Sequence, residues 1–535
     1  MSVMSINKTE AHIVLRADLV LTGGNVLTMN PSQPSAEAIA VKGDRIVKVG
    51  ANDDVTSLVR KKTIVIDLQG KTVVPGFIDT HIHVVDFGKV LTWVDLTGIK
   101  SIQDVKNAVK QRIRESCPDG KWIIGRGWDE DCFIEKRLPT RADLDPISMG
   151  NPVLLYRRRE QICVVNSRAL ELAGVTEDTG SPQSGALDKN GRGELTGILR
   201  GDATDLVWKI VPEPDEEELV HGFYLACEAI LQAGVTGVHW IVTSPSEIPI
   251  VRRLRKVKLP IRIHVIVPAN FLDDVLDFGF HKKSGENALR VNGVLIFADG
   301  FLAARTAALR EPYSDTLGVR GKLLCTPLDM RKLARRIQRA NLDLTIHAMG
   351  DLAAETALDV IEAVSASGPN NRFCRLEQAA LLDEQLVQRI RRQDVIVSMQ
   401  PRVAESEFFV WSAIKRLGND RAKWLYPIKT LFAEGVRVIG GSDCPMESLS
   451  PLLGIQAAVA REYFPEQRIT VDEALRIYTI NAAYASFEEN TKGSIETGKL
   501  ADFTILSHDP HEVSPKKIGQ IKVEMTIVGG RVVNP

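Results

Sequence analysis

The strongest constraint on the fold is an alternation of short Val- and Ile-rich runs with longer stretches of helical pattern. The runs are VVPGFIDTHIH, GVTGVHWIV, IRIHVIV, VNGVLIFAD, LDLTIHAMG, RFCRLEQA, VIVSMQP and VRVIGGSD. Strands separated by helices argue for parallel βα units, and eight such units close a barrel. The reading is an α/β chain with a (β/α)8 TIM-like barrel over residues 76–487. The C-terminal strand ends form the working face of such barrels. Here they carry His81 and His83, His239, His264, Asp299, His347, Glu377 with Gln378, Gln400 with Arg402, and Asp443.

Both chain ends read differently. Residues 1–75 contain DLVLTGGNVLTM, AEAIAVKGDRIVKVG and TIVIDLQGKTVVPG, alternating segments punctuated by Gly and Asn-Asp turn signals. Residues 488–535, from KGSIETGKLADFTILS to KVEMTIVGGRVVNP, repeat that character. The two ends are expected to fold together as one small composite β-sandwich domain. The spacing between the first two barrel strands is too long for one helix. Residues 115–215, with GRGWDEDCFIEKRLPTRADLDP and DKNGRGELTG, are therefore read as a lid-like insertion after the first barrel strand.

Composition narrows the partners. Lys and Arg total 67 against 68 Asp and Glu, so no net field draws the chain to nucleic acid or to an anionic membrane. The N-terminus lacks a basic segment followed by a long apolar run, and no later stretch reaches the length of a membrane span. Cys117, Cys132, Cys163, Cys227, Cys325, Cys374 and Cys444 are scattered without Cys-x-x-Cys spacing, which suggests reduced thiols. A cytoplasmic protein acting on a small molecule is expected, and a homo-oligomer is left open.

Residues two apart in a strand share a face, so His81 and His83 can present two imidazoles to one point. His-x-His alone also fits two strand histidines bonded to neighbours. At the end of a first barrel strand, the ligand reading gains. Asp443 ends the eighth run behind a Gly pair that would allow close backbone approach, and its carboxylate can bind metal or move protons. Its alternative is a helix N-cap. His347 ends the fifth run, and neutral imidazole suits zinc and similar ions. His239 and His264 fit packing and binding equally. His12, His221, His281, His508 and His511 fall in termini, helices or loops.

The series VVPGFIDTHIHV, GRGWDED, VNSRAL, GVTGVHW, FADGFLAARTAALREPYSD, IHAMGDLAAETALD, RLEQAALL, VSMQP, GGSDCPMESLSPLLGI and TKGSIETGKLADFTIL resembles the amidohydrolase superfamily, in the branch called amidohydrolase 3 or YtcJ-like. The resemblance covers nearly the whole chain. It implies that His81 and His83 are first-strand metal ligands, His347 the fifth-strand ligand, and Asp443 the eighth-strand ligand and proton carrier.

The resemblance also exposes departures. Where members often carry a fourth-strand lysine that bridges two metals, this chain places Leu295. Glu-His-Ala of the sixth strand is replaced by Glu377-Gln378-Ala379, and a neutral amide is a weaker ligand than imidazole. Glu160-Gln161 stands in place of a Gly-His pair, Gly201 in place of an acidic residue, and Arg402 where histidine is common.

The expected function is a metal-dependent hydrolase acting on a non-peptide carbon–nitrogen bond of an amide or cyclic amide through metal-activated water. One divalent ion, with zinc the leading choice, is expected at His81, His83, His347 and Asp443, with Asp443 and His347 as the catalytic groups. The rival reading is a binding or regulatory barrel that has lost catalysis; the lost lysine and histidines favour it, while the surviving ligands suffice for a one-metal site.

Overall fold

The computed structural model describes residues 16–116, 120–158, 162–277, 289–365 and 374–534. Two compact units form, Met1–Val84 with Cys227–Pro535, and Val85–Ala226.

The first unit contains one eight-stranded sheet whose neighbours follow chain order: Phe77–Ile82, Val235–Ile241, Arg262–Pro268, Leu289–Phe297, Asp343–His347, Cys374–Glu377, Ile396–Met399 and Val438–Gly440. Each overlaps one of the eight apolar runs, and all pairings are parallel. The first two strands are buried at every position, as expected where both faces of a parallel sheet are covered. The sheet ends meet through backbone: Asp443 N–H donates to His81 O at 2.8 Å, and His83 N–H to Cys444 O at 2.9 Å. This seam brings both ends of the sequence pattern, His-x-His and GGSD, to one point.

Helices outside the sheet start and stop for local reasons. In Pro327–Arg339, Thr326 caps the N-terminus by accepting from the Asp329 N–H, and Pro327 occupies the first turn where no donor is needed. Met330, Ala334 and Ile337 form its buried stripe at helical spacing.

The run VVPGFIDTHIH is not one strand. It divides at Gly76, so that Thr72–Pro75 belongs to the β-sandwich and Phe77–Ile82 to the barrel. A Cβ at Gly76 would lie 2.3 Å from Thr236 Oγ1, so only glycine permits this close passage. The sandwich joins a four-stranded sheet to a six-stranded sheet. In the latter, Phe503–Leu506 pairs antiparallel with Thr72–Pro75, putting Ile505 opposite Val73. Its core mixes Leu21, Ile39 and Val41 with Phe503, Ile505 and Ile527, so neither chain end could bury its apolar face alone.

The second unit carries a six-stranded mixed sheet, built on the parallel pair Ile123–Trp128 and Val153–Arg157. Helix Ile102–Ser116 contributes Val105, Val109 and Ile113 to a core with Trp128 and Val153. Gly201 sits here at φ 52°, and a Cβ would fall 2.2 Å from Ser184 O. Backbone geometry therefore accounts for glycine at this position. Glu160 and Gln161 lie outside the described residues, as do His12 and His281. Among the described residues, no helix is long and apolar enough to cross a membrane.

Candidate metal centre

Three of the four expected ligands converge. His81 Nε2 lies 3.4 Å and His83 Nε2 3.3 Å from the same oxygen, Asp443 Oδ1. Ligand atoms of these three residues all lie within 4.8 Å of one another. The two imidazoles stand nearly perpendicular, with ring centroids 5.3 Å apart. His347, the fourth, lies outside that cluster.

The far nitrogens show why the donor set fits a metal. His83 Nδ1 lies 3.1 Å from Ile241 O, an acceptor only, so Nδ1 keeps a proton and Nε2, on the Asp443 side, is the nitrogen an ion would take. His81 Nδ1 lies 2.8 Å from Glu377 Oε1, and that carboxylate likewise keeps a proton on Nδ1, leaving Nε2 as the nitrogen on the Asp443 side. Acceptors behind both imidazoles, with Nε2 turned inward, are the usual support of metal-bound histidines.

Glu377 is itself held. Gln400 Nε2 donates to its Oε1 at 2.9 Å, and the Arg375 guanidinium lies against its Oε2. Arg375 also donates to Thr80 O at 2.7 Å and Ser398 Oγ at 3.0 Å, and its Nη1 is 3.1 Å from His239 Nδ1. Burial works to raise the Glu377 carboxyl, but Arg375 and His81 outweigh it and bring its pKa down to about 2. His81 is shifted the other way: burial disfavours its cation, yet Glu377 and Asp443 on its two sides lift its pKa to about 10. At Asp443, burial is likewise outweighed by the two imidazoles, which hold the carboxyl well below the usual carboxylate range.

Asp443 adopts φ 60° and Gln378 φ 64°, left-handed conformations that are uncommon for such residues and concentrate at functional sites. The two meet: Gln378 Nε2 donates to Asp443 Oδ2 at 3.3 Å, while Tyr426 Oη donates to Gln378 Oε1 at 3.5 Å. The side chain of Asp443 is thus spent on histidines and Gln378, and does not cap a helix. The Gly pair does what the sequence suggested. A Cβ at Gly441 would lie 2.5 Å from His81 N, and one at Gly440 2.3 Å from Ile477 Cγ2.

His347 is 2 % exposed, and both its ring nitrogens lack a hydrogen-bond partner among the described residues. Burial chiefly lowers its pKa to about 4, so it is neutral at neutral pH. Leu295 is buried in an apolar cluster with Ile241 and Ile266. Arg402 pairs with Glu405 and lies 3.8 Å from Glu447 Oε2.

His239 and His264 prove to be interior packing groups. They face each other in register with rings 4.7 Å apart, and burial, aided at His239 by the neighbouring cations, keeps both neutral. Asp299 accepts N–H bonds from Ala308, Met349 and Gly350 at 2.8, 2.9 and 2.8 Å, which pins the loops after strands four and five. Sequence reasoning missed the roles of Arg375, Glu377 and Tyr426. The two-residue period that joined His81 to His83 also joins Arg375 to Glu377, and that signal was available.

A family model described as the amidohydrolase family matches residues 64–534. The chain is 33% identical to YtcJ of Bacillus subtilis (strain 168) over 527 residues, covering 96% of this chain and 98% of that one. It is 29% identical over 535 residues to N-substituted formamide deformylase of Arthrobacter pascens, covering 96% and 97%. Among solved structures, an uncharacterized metal-dependent hydrolase from Pyrococcus furiosus superposes with a TM-score of 0.75 at 31% identity, over 92% of this chain and all of that one. With these likenesses running nearly end to end and a divalent-metal site at His81, His83 and Asp443, the chain belongs to the amidohydrolase family, in its YtcJ-like branch.

Proposed function

We propose that the chain is a one-metal hydrolase of a small amide, with zinc held by His81, His83 and Asp443, and with His347 as a further ligand or as the donor that polarises the amide carbonyl. The observation that carries this reading is the pair of acceptors behind the histidines, Glu377 and Ile241 O, which aim both Nε2 atoms at Asp443. An ion held there supplies Lewis acidity, lowering the pKa of water and polarising a carbonyl.

The chain's own residues supply the rest. Asp443 accepts a proton from the attacking water and delivers it to the departing nitrogen, so that the carbonyl carbon gains oxygen and the amine leaves neutral. Gln378 steadies the carboxylate through its Oδ2. Neutral His347, buried, with Asp299 Oδ1 3.7 Å from Nδ1 and no hydrogen-bond partner on either ring nitrogen among the described residues, can ligate or donate without changing charge. Leu295 in its apolar cluster and Gln378 in its hydrogen bonds to Asp443 and Tyr426 favour one ion over two. The name of the Arthrobacter relative points to N-substituted formamides as the first amides to try. Free cysteines throughout the described residues favour a reducing, cytoplasmic setting.

The test is metal analysis of protein purified without added metal, followed by hydrolysis of an amide panel by the zinc-loaded chain and by His83→Ala. One zinc per chain and amide turnover lost in His83→Ala are expected. A zinc-loaded wild type that turns over no amide would favour the rival non-catalytic barrel.

A further inference from the structure

The mouth of the barrel has two chemically different sides. His81, His83, Asp443 and Gln378 make one side polar. On strand four the two-residue period places Leu295 and Phe297 on the same inward face. Leu295 is buried with Ile241 and Ile266, while Phe297, at the strand's C-terminal end, is 40% exposed. Phe297 pairs in register with His347, and their ring centroids are 5.3 Å apart. Phe301, from the loop after strand four, approaches the same imidazole at 5.5 Å and is 52% exposed. Met446, whose N–H donates to Asp443 O at 2.8 Å, is 68% exposed. Uncovered aromatic side chains against a buried site histidine mark a binding surface.

Three of the cations near these loops are already paired among the described residues. Arg305 in the loop after strand four is paired with Asp315 at 2.7 Å, and Arg310 with Asp383 at 2.9 Å. Arg402, after strand seven, is paired with Glu405.

We infer that Phe297 and Phe301 are the specificity-determining residues of this site, and that they select a neutral amide whose substituent is an aryl group. The inference rests on the hydrolase reading for the word amide, and on the mouth's geometry for the word aryl. The reacting amide lies on the polar side, with its aryl group against the two phenyl rings in edge-to-face or offset contact.

Two measurements on the zinc-loaded full chain test it. The first is calorimetric binding of acetohydroxamic and phenylacetohydroxamic acids, which needs no turnover. The phenyl compound should bind at least ~30-fold more tightly, and in Phe297→Ala/Phe301→Ala that advantage should shrink to within ~3-fold. The readout is the ratio of the two affinities, since a general disturbance of the site would weaken both hydroxamates alike and leave that ratio unchanged. The second is kcat/KM on the formamides of methylamine, benzylamine and glycine, with the benzyl compound preferred and the anionic glycine compound worst. Phe297→Leu and Phe301→Leu, which keep apolar bulk, should retain part of the preference. A phenyl probe that gains nothing or fails to bind, a preferred glycine compound, or an equal loss on both hydroxamates in the double variant overturns the inference. Amide turnover that ignores substituent size sinks it while sparing the hydrolase reading. Aryl selection in binding without turnover of any amide does the reverse.

Discussion

His81 Nδ1 lies 2.8 Å from Glu377 Oε1, and Arg375 holds the other oxygen of that carboxylate. The metal ligand is therefore oriented by a group whose own position is fixed from strands one, six and seven. Glu377→Gln should lower zinc affinity about 10- to 100-fold, the usual cost of losing such a support. It should also destabilise the fold by about 3–5 kcal/mol, because Arg375 is left as a buried charge without its anion. Competition with a chelator and thermal unfolding measure the two effects. Unchanged zinc affinity would show that Glu377 serves only Arg375.

Zinc uptake should release a proton. In the metal-free chain Glu377 and Asp443 raise His81 to about 10, so it is protonated at neutral pH, whereas a metal accepts only neutral imidazole. Each ion bound near pH 7 should displace about one proton, and apparent affinity should climb as pH rises toward 10. The sign for stability is opposite. Raised from its ordinary 6.5, the His81 proton stabilises the metal-free fold fully below that value, and the contribution is lost as pH rises through about 10. Calorimetry of zinc binding in buffers of different ionisation heat reads the proton directly. A binding heat independent of buffer would contradict the assignment.

Much of this was legible in the sequence because it depends on period and chain order. Eight apolar runs became eight parallel strands, and His81, His83 and Asp443 met because strands one and eight are neighbours once a barrel closes. The mixed core of the sandwich follows from two chain ends that each carry an apolar face. What escaped is set by contacts across the barrel that no spacing encodes. Tyr426 reaches Gln378 from a loop 48 residues on. Glycine at position 201 reads as a lost acid in a motif, yet its φ and the nearby Ser184 carbonyl require glycine. His239 and His264, expected at strand ends, lie instead within Val235–Ile241 and Arg262–Pro268, and spacing alone does not separate packing from ligation on a shared face.

Gly441→Ala should damage the metal site from outside its ligands. The new methyl would lie 2.5 Å from both His81 N and His81 Cβ, so strand one must retreat at the residue that carries the ligand. A stability loss of roughly 1–3 kcal/mol is expected for such overpacking. Zinc affinity should fall with it, whereas Gly435→Ala, at φ 73° with nothing within 4 Å of its Cβ, should lose stability but keep zinc affinity. Chelator competition on both variants separates strain at the site from strain elsewhere. Equal zinc affinity in the two would mean that His81 does not depend on the seam.

Leu295→Lys with Gln378→His tests what limits the site to one ion. Leu295 lies in the apolar cluster with Ile241 and Ile266, and Gln378 spends its amide on Asp443 and Tyr426. Lysine can be carboxylated to bridge two ions, and imidazole is a stronger ligand than a neutral amide. The double variant should bind a second ion, and each single variant only one. Placing lysine among Ile241 and Ile266 should cost about 1–3 kcal/mol through strain and polar burial, which a chain of this size can absorb. Native mass spectrometry or elemental analysis counts the ions, and circular dichroism confirms folding. A folded double variant that holds only one ion would show that these two positions do not set the stoichiometry, and the one-metal reading would then have to rest on the His81–His83–Asp443 cluster alone.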